Sequence, residues 1–124
     1  MHEAGLQSGD IVHIQSDLRR IGPVETQPER QAMLEFYFAA LREVLGAGGT
    51  ISVFSATYSL GHTGRPFVCE QTPSELGAFS EFIRTRPGAV RSVHPLASVA
   101  AIGPGAQEIC KGPHRDGFGY DSPW

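Results

Sequence analysis

The strongest constraint on the fold of this chain is an alternation of short β-branched runs with amphipathic stretches, punctuated by glycine and proline. Ile11-Val12-His13-Ile14 fits a buried strand, and Thr50-Ile51-Ser52-Val53-Phe54 fits a second. Between them, Thr26-Gln27-Pro28-Glu29 has the form of a capping box, a hydroxyl followed three residues later by a carboxylate. Met33, Phe36, Tyr37, Ala40, Leu41, Val44 and Leu45 then make one wide apolar face, which predicts a helix from Gln27 to Leu45. Gly46 to Gly49 supplies its end and a turn.

The second half repeats the alternation. Ser55 to Gln71 is rich in Gly, Pro, Ser and Thr and predicts a long loop near the strand ends. Thr72-Pro73-Ser74-Glu75 is a second capping box, and Leu76, Phe79, Phe82 and Ile83 give the apolar face of a helix ending before Arg86. Val90–Val93 and Ser98–Ile102 read as two extended segments separated by Pro95, and Gly103-Pro104 opens a short helix to Cys110. This order predicts the α/β class, a layered α/β sandwich around a central mixed sheet. At 124 residues the chain is expected to be a single domain. The tail from Gly117 to Trp124 has no closing element, so the architecture looks truncated.

Composition removes several function classes. Hydrophobic residues at 40% and charged residues at 19% exclude a disordered chain or a coiled coil. A net charge of -3 argues against a general nucleic-acid binder, although Arg84, Arg86 and Arg91 leave room for a local anion site. No apolar run reaches the length of a membrane span. Two isolated cysteines, Cys69 and Cys110, and an N-terminus without a basic and apolar leader pattern predict a soluble, cytoplasmic protein.

No phosphate-binding P-loop, dinucleotide glycine spacing or nucleophile elbow occurs, and the five histidines are scattered without zinc spacing, so no metal is expected. What remains is a set of polar groups near the strand ends. Ser16-Asp17 is either a ligand loop presenting a hydroxyl and backbone N–H groups, or a turn, which these residue types favour on their own. His94 suits a general base or a hydrogen-bonded histidine before proline. Thr57 and Tyr58 fall where the second strand ends and suit either a site lining or a loop. Glu70 and Glu75 could meet a cationic substrate, with Glu75 better explained by capping, and Cys69 would be nucleophilic only with a lowered pKa.

Four blocks stand in order along the chain: Gly9-Asp-Ile-Val-His-Ile-Gln-Ser-Asp-Leu-Arg-Arg-Ile-Gly22, Gly49-Thr-Ile-Ser-Val-Phe54, Thr72-Pro-Ser-Glu-Leu-Gly-Ala-Phe79, and Arg86-Pro-Gly-Ala-Val-Arg-Ser-Val-His-Pro-Leu-Ala-Ser-Val-Ala-Ala-Ile-Gly103. Together they resemble the aminoglycoside 3-N-acetyltransferase family, which is unrelated in fold to the GNAT acetyltransferases. The last block is the most specific. The resemblance implies an α/β sandwich enzyme that moves an acetyl group from acetyl-CoA to an amine of an aminoglycoside or related aminosugar. It implies that Ser16, Asp17 and Leu18 form the loop that holds the cofactor's phosphates, with Asp17 standing where many members have a second serine. It also places Arg91, Ser92, His94 and Ser98 at the cofactor and substrate cleft, with Thr57 and Tyr58 lining it.

The chain matches only about the first half of the family pattern. The later His-x-x-Glu-type segment has no counterpart here, so the main base is expected beyond Trp124 and His94 is expected to shape the cleft. Two alternatives share these residues. One is an inactive ligand-binding or structural fragment; the other is an N-acetyltransferase for aminosugars of glycan or natural-product biosynthesis.

Overall fold

A computed structural model describes residues 4–20 and 29–112. Its elements in chain order are β1 (Ile11–Ile14), a 3-10 turn (Leu18–Arg20), α1 (Arg30–Leu45), β2 (Thr50–Phe54), α2 (Leu60–Thr63), α3 (Ala78–Arg84), β3 (Val90–Arg91), β4 (Val99–Ile102) and α4 (Ala106–Cys110). The four strands form one mixed sheet in the order β1-β2-β4-β3. β1 runs parallel to β2, with Ile11 opposite Thr50, whereas β4 is antiparallel to both β2 and β3.

Strand alternation sorts the two faces of the sheet. Ile51, Val53 and Ala100, with half-buried Val12, Ile14 and Ile102, face the helical layer of α1 and α3, where Leu34, Leu41, Leu45, Phe79, Phe82 and Ile83 complete the core. Ala101 points to the other face and packs on Ala106 and Cys110 of α4. The result is the expected layered α/β arrangement around a mixed sheet. Leu45, Ile51 and Ile83 are wholly buried. Truncating such a side chain to alanine costs roughly 2–5 kcal/mol.

Several boundaries differ from the sequence expectations. Thr26 and Gln27 lie outside the described residues; within them α1 begins at Arg30, with Glu29 at its N-cap making no side-chain cap bond. Its inward stripe is Leu34, Tyr37, Phe38, Leu41 and Leu45, rotated from the predicted face, and Phe36 is exposed at 44%. Arg86 explains part of that rotation. Its guanidinium lies 4.1 Å from the Phe38 ring and 4.7 Å from Phe82, and donates to both Glu35 carboxylate oxygens at 2.8 Å, drawing Phe38 toward α3.

The second capping box opens no helix. α3 starts at Ala78, after Gly77 with φ +109°, and the box residues lie in the preceding loop. The expected extended segment Val90–Val93 shortens to Val90–Arg91, because Ser92 to Ala97 turns around Pro95. The long loop after β2 contains the short helix α2. Gly103 is fixed by geometry: its φ is +131°, and a Cβ there would stand 2.4 Å from the Gly49 carbonyl oxygen and 2.7 Å from Thr50 Cα. No helix among the described residues is long and apolar enough to cross a membrane.

Candidate functional site

β1 ends at Ile14, and Gln15-Ser16-Asp17 carries the chain out of the sheet into the 3-10 turn. Strand ends of this kind are where α/β sheets hold ligands. A cleft of about 750 Å³ opens there, with Ser16, Asp17 and Leu18 on one wall, Arg30 from the start of α1 on another, and Glu75 to Ala78 opposite. A Cβ on Gly77 would lie 3.8 Å from the Ser16 carbonyl oxygen, so the two walls approach closely at that point. Asp17 is 3.8 Å from Arg20, an exposed pair that adds little stability.

Glu75 serves a different helix from the one its sequence position suggests. Its carboxylate accepts from the Ser59 backbone N–H at 3.1 Å and from the Ser59 hydroxyl, tying down the N-terminus of α2. The hydroxyl bond, then the backbone bond, holds its pKa below the usual carboxylate value, so the cleft rim carries a fixed negative charge.

The signature segment sits behind this cleft. Arg91 is the centre of a dense set of hydrogen bonds. Its Nε donates to Ser98 Oγ at 2.9 Å; Nη1 donates to the Cys69 carbonyl at 3.2 Å and to the Thr72 carbonyl; Nη2 donates to the Ser55 carbonyl at 2.6 Å and to Thr57 Oγ1 at 3.4 Å. Phe67 covers one face of the guanidinium, 4.9 Å from its carbon. Burial, and then the nearby Arg84 charge, lowers the Arg91 pKa to about 10, which still leaves it charged at neutral pH. Arginine's rigid planar fork suits it to reach several carbonyls at once, and here it fastens the 55–72 loop to β3 and β4.

The hydroxyls of this segment are likewise engaged inside the fold. Ser98 Oγ donates to the Ser55 carbonyl at 2.7 Å, Ser92 Oγ accepts from the Val99 N–H at 2.9 Å, and Thr57 Oγ1 donates to the Pro73 carbonyl at 2.7 Å. Ser92, Ser98 and Thr57 are buried. His94 Nδ1 accepts from the Leu96 and Ala97 backbone N–H groups at 3.2 and 2.8 Å, which assigns the proton of the neutral ring to Nε2. Tyr58 is 51% exposed and meets the edge of Phe54 at 6.3 Å between ring centroids.

The structure therefore separates residues that the sequence grouped. Ser16, Asp17 and Leu18 share the cleft with Arg30, Glu75 and Gly77. Arg91, Ser92 and Ser98 brace the loop behind it. Glu70 lies in another cavity of about 570 Å³, with Cys69, Arg84 and Arg91. Burial raises the Cys69 thiol above its ordinary pKa, which disfavours a nucleophilic thiolate, and burial pushes Cys110 to about 11. Among the described residues no group of three or more His, Cys, Asp or Glu could hold a metal ion. Arg30 was missed because only the observed start of α1 brings it to the cleft; the charge alone, beside Glu29, carried no signal.

An open cleft thus lies at the end of β1 of an α/β fold, walled by the Ser16–Leu18 loop, the start of α1 and the 75–78 segment. The profile of the family described as aminoglycoside 3-N-acetyltransferase matches residues 11–124. The chain belongs to that family. It is 32% identical to aminoglycoside N(3)-acetyltransferase III of Salmonella sp., in a match covering 99% of this chain and 47% of the relative. It is 31% identical to aminoglycoside N(3)-acetyltransferase VII of Streptomyces paromomycinus, covering 96% of this chain and 46% of the relative. Among solved structures, AAC-IIIb in a binary complex with CoASH superposes with a TM-score of 0.79 at 27% identity, covering 98% of this chain and 50% of that one. AAC-VIa bound to sisomicin gives 0.78 at 33% identity, with the same two coverages. The chain thus spans about half the length of the relatives it matches.

Proposed function

We propose that residues 1–124 act as the N-terminal, acetyl-CoA-binding part of an N-acetyltransferase domain that acetylates an amine of an aminoglycoside or related aminosugar. The observation that carries this reading is the cleft at Ser16–Leu18, in a fold shared with a relative solved in complex with CoASH. Acetyl-CoA, as cosubstrate, supplies a thioester-activated acetyl group. The residues present fit it: the cleft volume is ample, the loop offers the Ser16 hydroxyl and backbone N–H groups, and Arg30 adds a cation for phosphate. The acidic rim formed by Glu75 and Asp17, with a net charge of -3, favours approach of a polycationic acceptor.

Within this reading Arg91, Ser92 and Ser98 position the cleft wall, Thr57 anchors the loop that presents Tyr58, and His94 shapes the turn beside it. Glu70 contacts the acceptor only if that molecule reaches the second cavity. Cytoplasmic residence follows from the substrate class and accords with two free thiols. Titration calorimetry of the 124-residue chain with CoA is the test. Saturable binding that weakens on Ser16→Ala supports the proposal, and absence of binding overturns it.

A second reading, a binding part that does not itself catalyse, is favoured by one observation: Nδ1 of His94 is occupied by two backbone N–H groups. Acetyl transfer to an aminoglycoside panel by this chain, lost on His94→Ala, would exclude it.

A further inference from the structure

Two thiols flank the signature segment and take no part in the cleft. Cys69, half-buried, belongs to the loop that Arg91 fastens, and Cys110, buried, ends α4. Their sulfurs converge on one peptide unit, the one joining Arg91 to Ser92. Cys69 Sγ lies 3.5 Å from the Arg91 carbonyl oxygen and 3.7 Å from the Ser92 carbonyl oxygen. Cys110 Sγ lies 3.4 Å from the Val90 carbonyl oxygen and 3.7 Å from that of Val99, which accepts the Ser92 N–H at 2.9 Å. Cys69 thus touches the carbonyl of that peptide, and Cys110 touches the acceptor of its N–H.

The surroundings give the two sulfurs different access. Cys69 lines the cavity of about 570 Å³ beside Arg84 and Gln107, so a dissolved small molecule has a route to it. Cys110 is only 6% exposed. Burial raises the Cys69 thiol, and the Arg91 charge partly offsets this. Cys110 is pushed up to about 11 by burial and then by the Cys69 charge, with the Ser92 N–H acting the other way. The first thiolate therefore forms at Cys69. Among the described residues no further His, Cys, Asp or Glu joins the pair to make a metal site.

We propose that Cys69 and Cys110 form a reversible disulfide, closed by exchange with a small disulfide such as glutathione disulfide. The Cys69 thiolate attacks one sulfur of that reagent, making a mixed disulfide and releasing one glutathione thiolate. Cys110 then loses its proton and attacks the Cys69 sulfur, and the second glutathione leaves as thiolate. Two protein thiols are oxidised, the reagent is reduced to two glutathione thiols, and the two protein protons end on them. The bond ties the 55–72 loop to α4, a covalent fastening beside the hydrogen bonds of Arg91. In a reducing compartment the pair rests as two thiols and closes when the glutathione pool turns oxidising. None of this depends on whether the chain binds CoA.

The test incubates the folded 124-residue chain with glutathione disulfide and glutathione at set ratios, near about pH 8.5 so that thiolate is present, and follows the products by mass spectrometry. The expected product is a monomer lighter by two hydrogens, in which digestion finds Cys69 joined to Cys110. The effective concentration of the two thiols should be at least about tenfold higher in the native chain than in urea. Closure should also raise the urea midpoint. Cys110→Ala should stop at the glutathione adduct of Cys69, and Cys69→Ala should give no intramolecular product, with circular dichroism confirming that both fold. The comparison of native chain with urea needs no variant. Equal effective concentrations in buffer and urea overturn the proposal. So do a wild-type chain that stops at the mixed disulfide, a disulfide formed only between chains, and a urea midpoint lowered by closure.

Discussion

Two polar regions of this molecule lie within one loop of each other and behave oppositely. Around Arg91 nearly every donor and acceptor is consumed by the protein: one guanidinium holds three carbonyls and two hydroxyls, and Ser92 and Ser98 are fully buried. Around Ser16 the groups are half-exposed and face an open cleft. A high density of polar residues in sequence marked the first region, and the fold uses it as a brace. The sparser segment at the end of β1 lines the open cleft instead. Polar groups already satisfied inside a fold have little left to offer outside it, because each new contact must break an old one.

The sharpest way to break this contrast is to remove the brace. Arg91→Ala leaves the Ser55, Cys69 and Thr72 carbonyls without their shared donor and should cost about 3–5 kcal/mol in urea denaturation, with Arg91→Lys recovering less than half. If Arg91→Ala were nearly neutral for stability and removed only CoA binding, the brace would instead be a ligand contact. Gly103→Ala should cost about 2–4 kcal/mol, since the φ is strained for alanine and backbone atoms occupy the Cβ position.

Acid should weaken the Glu81–Arg84 pair, which lies near Arg91, before it affects the aliphatic core. Glu81 is buried enough to raise its pKa, but the Arg84 hydrogen bonds at 2.7 and 2.5 Å, the Ser74 N–H and the Arg84 and Arg91 charges outweigh this and leave it lowered. A depressed folded-state pKa adds stability above the unfolded value of 4.5, and that stability is lost as pH falls through the folded value. Urea midpoints should therefore decline below about pH 4.5, and Glu81→Gln should flatten that decline.

The smallest effect sharpens the other side of the comparison. Asp17→Ser removes a carboxylate from the cleft wall and should tighten CoA binding about three- to tenfold by calorimetry, with stability changed by less than about 0.5 kcal/mol. An equal loss of stability would mean that the Ser16–Leu18 loop is also a structural clamp.

Much of the fold was legible from residue order. The strands β1 and β2 and the helix ending at Leu45 follow from β-branched runs, apolar spacing and the glycine turn that stops the helix. Helix starts were less legible. Thr72-Pro73-Ser74-Glu75 satisfies every local rule for a capping box, yet the Glu75 carboxylate is claimed by Ser59, sixteen positions away, and the helix waits for Ala78. Local hydrogen-bond preference cannot anticipate a competing donor that only the tertiary fold delivers. The same holds for Arg91, whose partners are drawn from the segment 55–72 and from Ser98.

By itself, then, the sequence determined the class, the order of elements and the family, because periodicity and motif order are properties of the chain read along its length. Which polar groups are satisfied inside the fold and which line the cleft was decided only by the tertiary structure. Satisfaction of a donor or acceptor depends on groups distant in sequence, and packing buried Ser92 and Ser98 and surrounded half-buried Arg91 with loop carbonyls, while it placed Ser16, Arg30 and Glu75 around one cleft.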